Sequence, residues 1–280
     1  MTQTNYTEGK MRIDKASVNI WNLKDFLDRK VDEYNQPSFI LNDPVSIPHQ
    51  FSKLQDIEIS AFFAALFAWG NRVTIIQKAK ELMQLMDNSP YEFCLNHNPR
   101  DLKRMMSFKH RTFNTTDLLY FIQFLQYHYR NHQSLESAFL GGDKEPDQIL
   151  PSYSCIENAL NYFHHYFFSL EDAPARTQKH IASPQKKSTC KRLNMFLRWM
   201  VRRDKAGVDF GIWTRIRPSQ LICPIDVHVA RVAKKFELIN RDQIDWLAAL
   251  ELTSHLRLMD GDDPVKYDFA LFGLGVIEHF

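Results

Sequence analysis

The sequence predicts an all-α protein, on three observations. Apolar residues recur at spacings of three and four along most of its 280 residues. No segment alternates apolar and polar residues between turn signals as a strand or hairpin would. Glycine is scarce, at 9 residues, where a β-sandwich or a dinucleotide-binding α/β chain uses more.

The elements follow in order. Residues 18–34 carry an amphipathic pattern and predict the first helix. Pro37, Pro44 and Pro48 mark 37–51 as an extended connection. Residues 55–68 are apolar on nearly every side, so a buried central helix is expected there. Gly70 and Asn71 break it, and a second amphipathic helix covers 72–87, before Pro90. Short helices are expected at 90–96 and 99–106, then a pair at 115–130 and 135–139. The loop 141–148 separates them from an aromatic-rich helix over 150–170. The polar, proline-bearing stretch 172–187 is the best boundary, followed by helices near 188–203, 227–237, 242–259 and 263–277. The chain therefore reads as a loosely attached N-terminus (1–15), a helical lobe (16–175) and a basic helical lobe (176–280). The N-terminal helix is expected to fold back onto the second lobe.

Several function classes are excluded. There is no G-x-G-x-x-G and no G-x-x-x-x-G-K-S/T, so a dinucleotide or P-loop site has no anchor. No H-E-x-x-H, C-x-x-C or serine elbow is present, and no metal or cofactor is expected. Cys94, Cys155, Cys190 and Cys223 stand far apart and read as free thiols in a reducing, cytoplasmic setting. No apolar run is long enough to span a membrane.

Charge is concentrated. The net charge is only +2, but residues 176–235 hold 15 Lys/Arg against 3 Asp/Glu, a local +12. The other 220 residues carry −10. One basic stretch in an otherwise acidic chain is the footprint of a polyanion-binding face, or of a basic solvated surface with no partner. Within it Lys186, Lys187, Arg192, Arg198 and Arg202 are the candidate phosphate contacts.

The segment 221–238, LICPIDVHVARVAKKFEL, carries most of the information. Pro224 stops any preceding helix, and Asp226 stands where an N-cap belongs. Capping alone would account for Asp226, with His228 and Arg231 as surface residues of the first turns. The run Ile225-Asp226-Val227-His228-Val229-Ala230-Arg231-Val232 also resembles the V-D-x-H-x-x-R-V stretch of the helix-hairpin-helix DNA glycosylases of the endonuclease III type. In that resemblance Asp226 falls on the family's catalytic aspartate. Residues 59–80 resemble the early buried helix, turn and second helix of those enzymes, which places Asn71 or Arg72 at the turn that enters the base stack. Residues 262–275 resemble the late helix of the oxidised-guanine branch.

Two departures matter. The L-P-G-x-G hairpin is absent together with its lysine, whose position is held by Val208, and the iron–sulfur loop is missing. Lys205 and Lys191 are the nearest substitutes. Lys191, in STCKRLNMFLR, resembles the lysine-bearing helix of an archaeal oxidised-guanine glycosylase type and is preferred. The chain as a whole also resembles a family of bacterial hypothetical proteins of this length.

The resemblance implies two helical lobes around a cleft, with an atypical hairpin motif, and a hydrolase acting in DNA repair on damaged bases. With a lysine nucleophile it implies a lyase as well. Catalytic candidates are Asp226 and Lys191. Asn71, Arg72, the basic residues above, His228 and Arg231 would contact double-stranded DNA. Trp69, Trp199 and Trp213 would sandwich the flipped base, with Phe269 and Phe272 as further aromatics, although each also suits a core. Double-stranded DNA is the expected partner, in the bacterial cytoplasm, with neither a membrane nor an obligate protein partner. The alternatives are a non-catalytic nucleic-acid-binding protein on the same fold, and a helical module that takes an acidic protein partner.

Overall fold

In a computed structural model, the backbone is described for residues 15–141 and 154–280, and the side chains for 22–141 and 156–280. The expectations for 1–14, for the loop beyond residue 141 and for the Cys155 thiol lie outside these residues. The described residues are helical, without a strand; one isolated bridge joins His110 and Phe113.

The helices are α1 (Lys15–Tyr34), α2 (Pro37–Ile40), α3 (Leu54–Leu66), α4 (Arg72–Leu85), α5 (Pro90–Asn96), α6 (Pro99–Lys103) and α7 (Thr115–Asn131). They continue as α8 (Glu136–Leu140), α9 (Ser154–Phe167), α10 (Lys191–Val201), α11 (Val227–Lys235), α12 (Trp246–Met259) and α13 (Tyr267–Val276). The stretch 37–51 is not extended. Each proline instead opens a tight helical turn: α2 at Pro37, and 3-10 turns Pro44–Ser46 and Pro48–Gln50. Proline suits a first helical position, where its missing N–H is not needed. The 172–187 connection likewise coils into 3-10 turns, Ala175–His180 and Pro184–Lys186.

Helix α3 is the axis, buried at every residue from Ile57 to Leu66. Phe62 and Phe63 meet rings of α7, α9 and α10, and Phe67, just past the helix end, meets Phe108 and Phe113. Its one buried charge, Glu58, accepts from Tyr129 Oη, Ser134 Oγ, the Leu135 amide and Trp213 Nε1. That cage satisfies a carboxylate that would be costly if left alone.

A second group packs α1 and α11 against α13. The sequence Phe272-Gly273-Leu274-Gly275 explains how closely. A Cβ on Gly273 would lie 2.6 Å from Tyr34 Cγ in α1, and one on Gly275 would lie 3.1 Å from the His228 carbonyl oxygen in α11. Helix α10 stands between the groups, packed on α3 by its apolar face. One continuous apolar core runs through both groups.

Where a hairpin motif would stand, residues 203–217 form no helix. This loop is tied down from both sides: the Glu136 carboxylate accepts from the Arg215 and Ile216 amides, and the Trp199 backbone carbonyl accepts from the Phe210 amide.

Candidate active site

A cleft of about 860 Å³ opens where α3, α4, α10, α11 and α13 converge. Its chemistry is set by two helix starts. Asp226 is the N-cap of α11, and its Oδ1 accepts from the His228 and Val229 amides, both at 2.9 Å. Oδ2 is thereby turned to the cleft. There it meets Lys191 Nζ at 3.5 Å, from the first residue of α10. The two side chains are 20% and 25% exposed, so the pair is reachable from solvent but largely sheltered. Among the described residues lining the cleft, Lys191 is the only lysine. Lys205 is exposed, on the 203–217 loop, and is not among them.

The strap before α10 is strained to hold this arrangement. Lys187 (φ 57°) and Cys190 (φ 52°) both sit in the left-handed region, at a cost on the order of 1 kcal/mol or more each for residues with side chains. Local bonds hold them there. Asn194 Nδ2 donates to Thr189 O at 3.0 Å, and Thr189 Oγ1 donates to Ile225 O at 3.5 Å, immediately before Asp226. The strap therefore touches both catalytic candidates. Burial pushes the Cys190 thiol up to about 12, so it stays protonated.

The other expected site residues divide cleanly. Asn71 caps α4, accepting from the Thr74 amide at 3.2 Å, and Arg72 lies 5.3 Å over the Phe272 ring; both line the cleft. Trp69 is on the cleft wall, with the Arg192 guanidinium 4.8 Å from its ring centroid and His180 stacked at 6.1 Å. Arg192 is held there by the Leu66 carbonyl (2.7 Å) and the His180 carbonyl (3.1 Å), and burial lowers it to about 10. Lys186 and Lys187 are exposed. His228 lines the cleft, whereas Arg231 turns away, donating to the Phe280 and Gly275 carbonyls.

Five expectations are corrected. Arg198 and Arg202 are 4% and 3% exposed and reach no phosphate. Arg198 pairs with Asp209 and Asp268, and Arg202 with Asp204, Asp209 and Asp263. Burial opposes the charge on Arg198, but Asp209 and Asp268 outweigh it and hold the guanidinium above its ordinary range. Trp199 and Trp213 are not base platforms either. Trp199 is wholly buried in α10, and the Trp213 indole is bound to Glu58. Phe269 is buried under Arg198, at 4.3 Å from ring centroid to guanidinium, while Phe272 remains on the cleft wall.

Behind the Lys191–Asp226 pair lies a chamber of about 30 Å³, room for one water. Its polar lining is Asp43, Lys191, Arg198, Asp226 and Asp268. Burial drives Asp268 up to about 6 against the pull of Arg198. Asp43, from the turn at Pro44, lines both this chamber and the cleft. Sequence reasoning passed over it, because a carboxylate in a proline-rich connection carries no periodic signal.

Residues 43–277 match the family described as "Protein of unknown function (DUF2400)", and the chain belongs to that family. The matched span contains every residue that lines the cleft. Neither the curated proteins nor the solved structures yield a match to this chain.

Proposed function

We propose that this protein is a DNA-repair N-glycosylase that removes a damaged base from double-stranded DNA, with abasic-site lyase activity. The observation that carries the reading is the 3.5 Å approach of Lys191 Nζ to Asp226 Oδ2 inside a cleft large enough for a base. The two residues are far apart in sequence, and each is the best match to one half of the glycosylase resemblance.

The chemistry has a direct physical basis. A stacked base must be flipped out to be reached, at a cost of a few kcal/mol. Asn71 and Arg72, at the mouth of the cleft, are suited to fill the gap. Exposed Lys186 and Lys187, with the N-terminal ends of α4, α10 and α11, favour phosphate at the rim. As the C1′–N bond breaks, its electron pair leaves with the base and positive charge grows on the sugar. Oδ2 of Asp226, held rigid through Oδ1, opposes that charge without reorganising. Lys191, after its ammonium proton has passed to solvent, gives its electron pair to C1′. One N–H proton then moves to O4′ as the ring opens, leaving a protonated imine.

Borohydride trapping on a duplex with one abasic site tests this. The wild type is expected to form a covalent adduct that Lys191→Ala and Asp226→Asn lose and Lys205→Ala keeps. An adduct undiminished in Lys191→Ala would overturn the assignment. Duplex binding without adduct or base release would leave the protein a non-catalytic nucleic-acid binder.

A further inference from the structure

We propose that Asp43 is the general acid of base release, delivering a proton to a ring nitrogen of the departing base. The inference rests on the glycosylase reading of the same cleft.

Two carboxyl groups line the cleft among the described residues, Asp43 and Asp226, and their surroundings differ. Asp226 is held by two amides and a lysine. Asp43 accepts one amide, that of Val45 at 3.0 Å, through Oδ1. It has no ion-pair partner among the described residues, and it is 8% exposed. Pro44 and Phe272 share its part of the lining. Arg198, whose charge acts most strongly on Asp43, is already engaged by Asp209 and Asp268. Burial therefore raises the Asp43 carboxyl above its ordinary value, against the Val45 amide and the charges of Arg198, Arg72 and Lys191. Asp226 and Asp268, across the chamber, are the facing carboxyls. His49, on the adjoining turn, is bound to the Val208 carbonyl instead. Two carboxyls in one cleft, one sheltered and weakly bonded, the other fixed beside a cation, make an acid and an electrostatic stabiliser.

The step balances. The proton on Asp43 passes to the base nitrogen while the C1′–N electron pair moves onto the base. Asp43 is left as a carboxylate and regains its proton from solvent through the cleft that it lines.

An abasic site has no base to protonate, which separates this role from that of Lys191. Asp43→Asn keeps the oxygen that caps Val45. The test uses duplex DNA treated with hydroxyl radicals, nitrous acid or a methylating agent, with freed bases identified by mass spectrometry, beside abasic-site trapping. For a base the wild type frees, Asp43→Asn is expected to slow single-turnover release by about 100-fold. The decline of the rate at high pH should disappear with it, while trapping stays within about threefold of wild type. Release by Asp43→Asn at the wild-type rate and with the wild-type pH profile would overturn the acid assignment and leave the glycosylase reading standing. So would equal loss of release and trapping in a variant whose circular dichroism and melting are unchanged, since Asp43 would then support the site as a whole. A wild type that neither releases a base nor traps would overturn both.

Discussion

Replacing Gly273 by alanine should destabilise the protein through a single contact. The added Cβ would stand 2.6 Å from Tyr34 Cγ and closer still to Cδ2 and Cε2. Ordinary carbon contacts begin near 3.5 Å, so the ring or the helix must retreat by about 1 Å. Tyr34 is not free to move: it is buried, and its hydroxyl is bonded to Glu278, which Lys30 also holds. Overpacking of this kind costs about 1–3 kcal/mol, and the size of the overlap puts Gly273→Ala at the upper end. Against that, alanine is the better helix former by about 1 kcal/mol. The net is a loss of about 2 kcal/mol, or about 4–8 °C in melting temperature. Urea denaturation and calorimetry would read it. The decisive comparison is in a Tyr34→Ala background, where the clash is gone and only the propensity gain remains. There Gly273→Ala should stabilise, by up to about 1 kcal/mol. Destabilisation of the same size in both backgrounds would refute the claim that Tyr34 is what demands glycine.

Other consequences concern the charged residues. Arg198→Met leaves Asp268 without its ion-pair partner in the interior and Asp209 with Arg202 alone, and should cost about 3–5 kcal/mol in denaturant unfolding; a loss below about 1 kcal/mol would show that the network is dispensable. Lys186→Ala with Lys187→Ala should leave the melting temperature unchanged and reduce the slope of log affinity for duplex DNA against log salt by about 2; an unchanged slope would remove both from the interface. Burial lowers His180 to about 4, against the attraction of Asp117, so the unfolded chain binds the extra proton between that value and the ordinary 6.5. Stability from this group is therefore full above about pH 6.5 and lost as pH falls toward 4, by at most about 3 kcal/mol. His180→Gln should flatten the stability profile across that window, and an unaltered profile would place the titration elsewhere.

The helices were legible because local chemistry and burial agree in them. The all-round apolar run that predicts 55–68 is Leu54–Leu66, buried at every residue from Ile57 onward. The N-cap reading of Asp226 after Pro224 is met by two amide bonds to its Oδ1. The Lys191–Asp226 juxtaposition was accessible only through resemblance, since nothing in spacing alone links two helix starts separated by a long loop. What the sequence hid is pairing. The +12 of residues 176–235 counts Arg198 and Arg202 as surface charge, because Asp263 and Asp268, two of the carboxylates that neutralise them, lie outside that window. Trp213 reads as a platform until Glu58, 155 residues away in the sequence, is seen to accept its N–H. Asp43 stayed hidden for the converse reason: its neighbours are assembled by the tertiary fold, and its proline-rich context signals only a turn.

The central claim is that Lys191 forms the covalent bond to DNA while Asp226 faces the same sugar. The most direct measurement is peptide mapping of the borohydride-reduced adduct on an abasic-site duplex, after nuclease and trypsin digestion. Trypsin cannot cleave after a modified lysine. The deoxyribose remnant is expected on the peptide Ser188–Arg192, uncut at Lys191, and no such peptide is expected from Asp226→Asn. A remnant on Lys205, or on any peptide that does not contain Lys191, would contradict it.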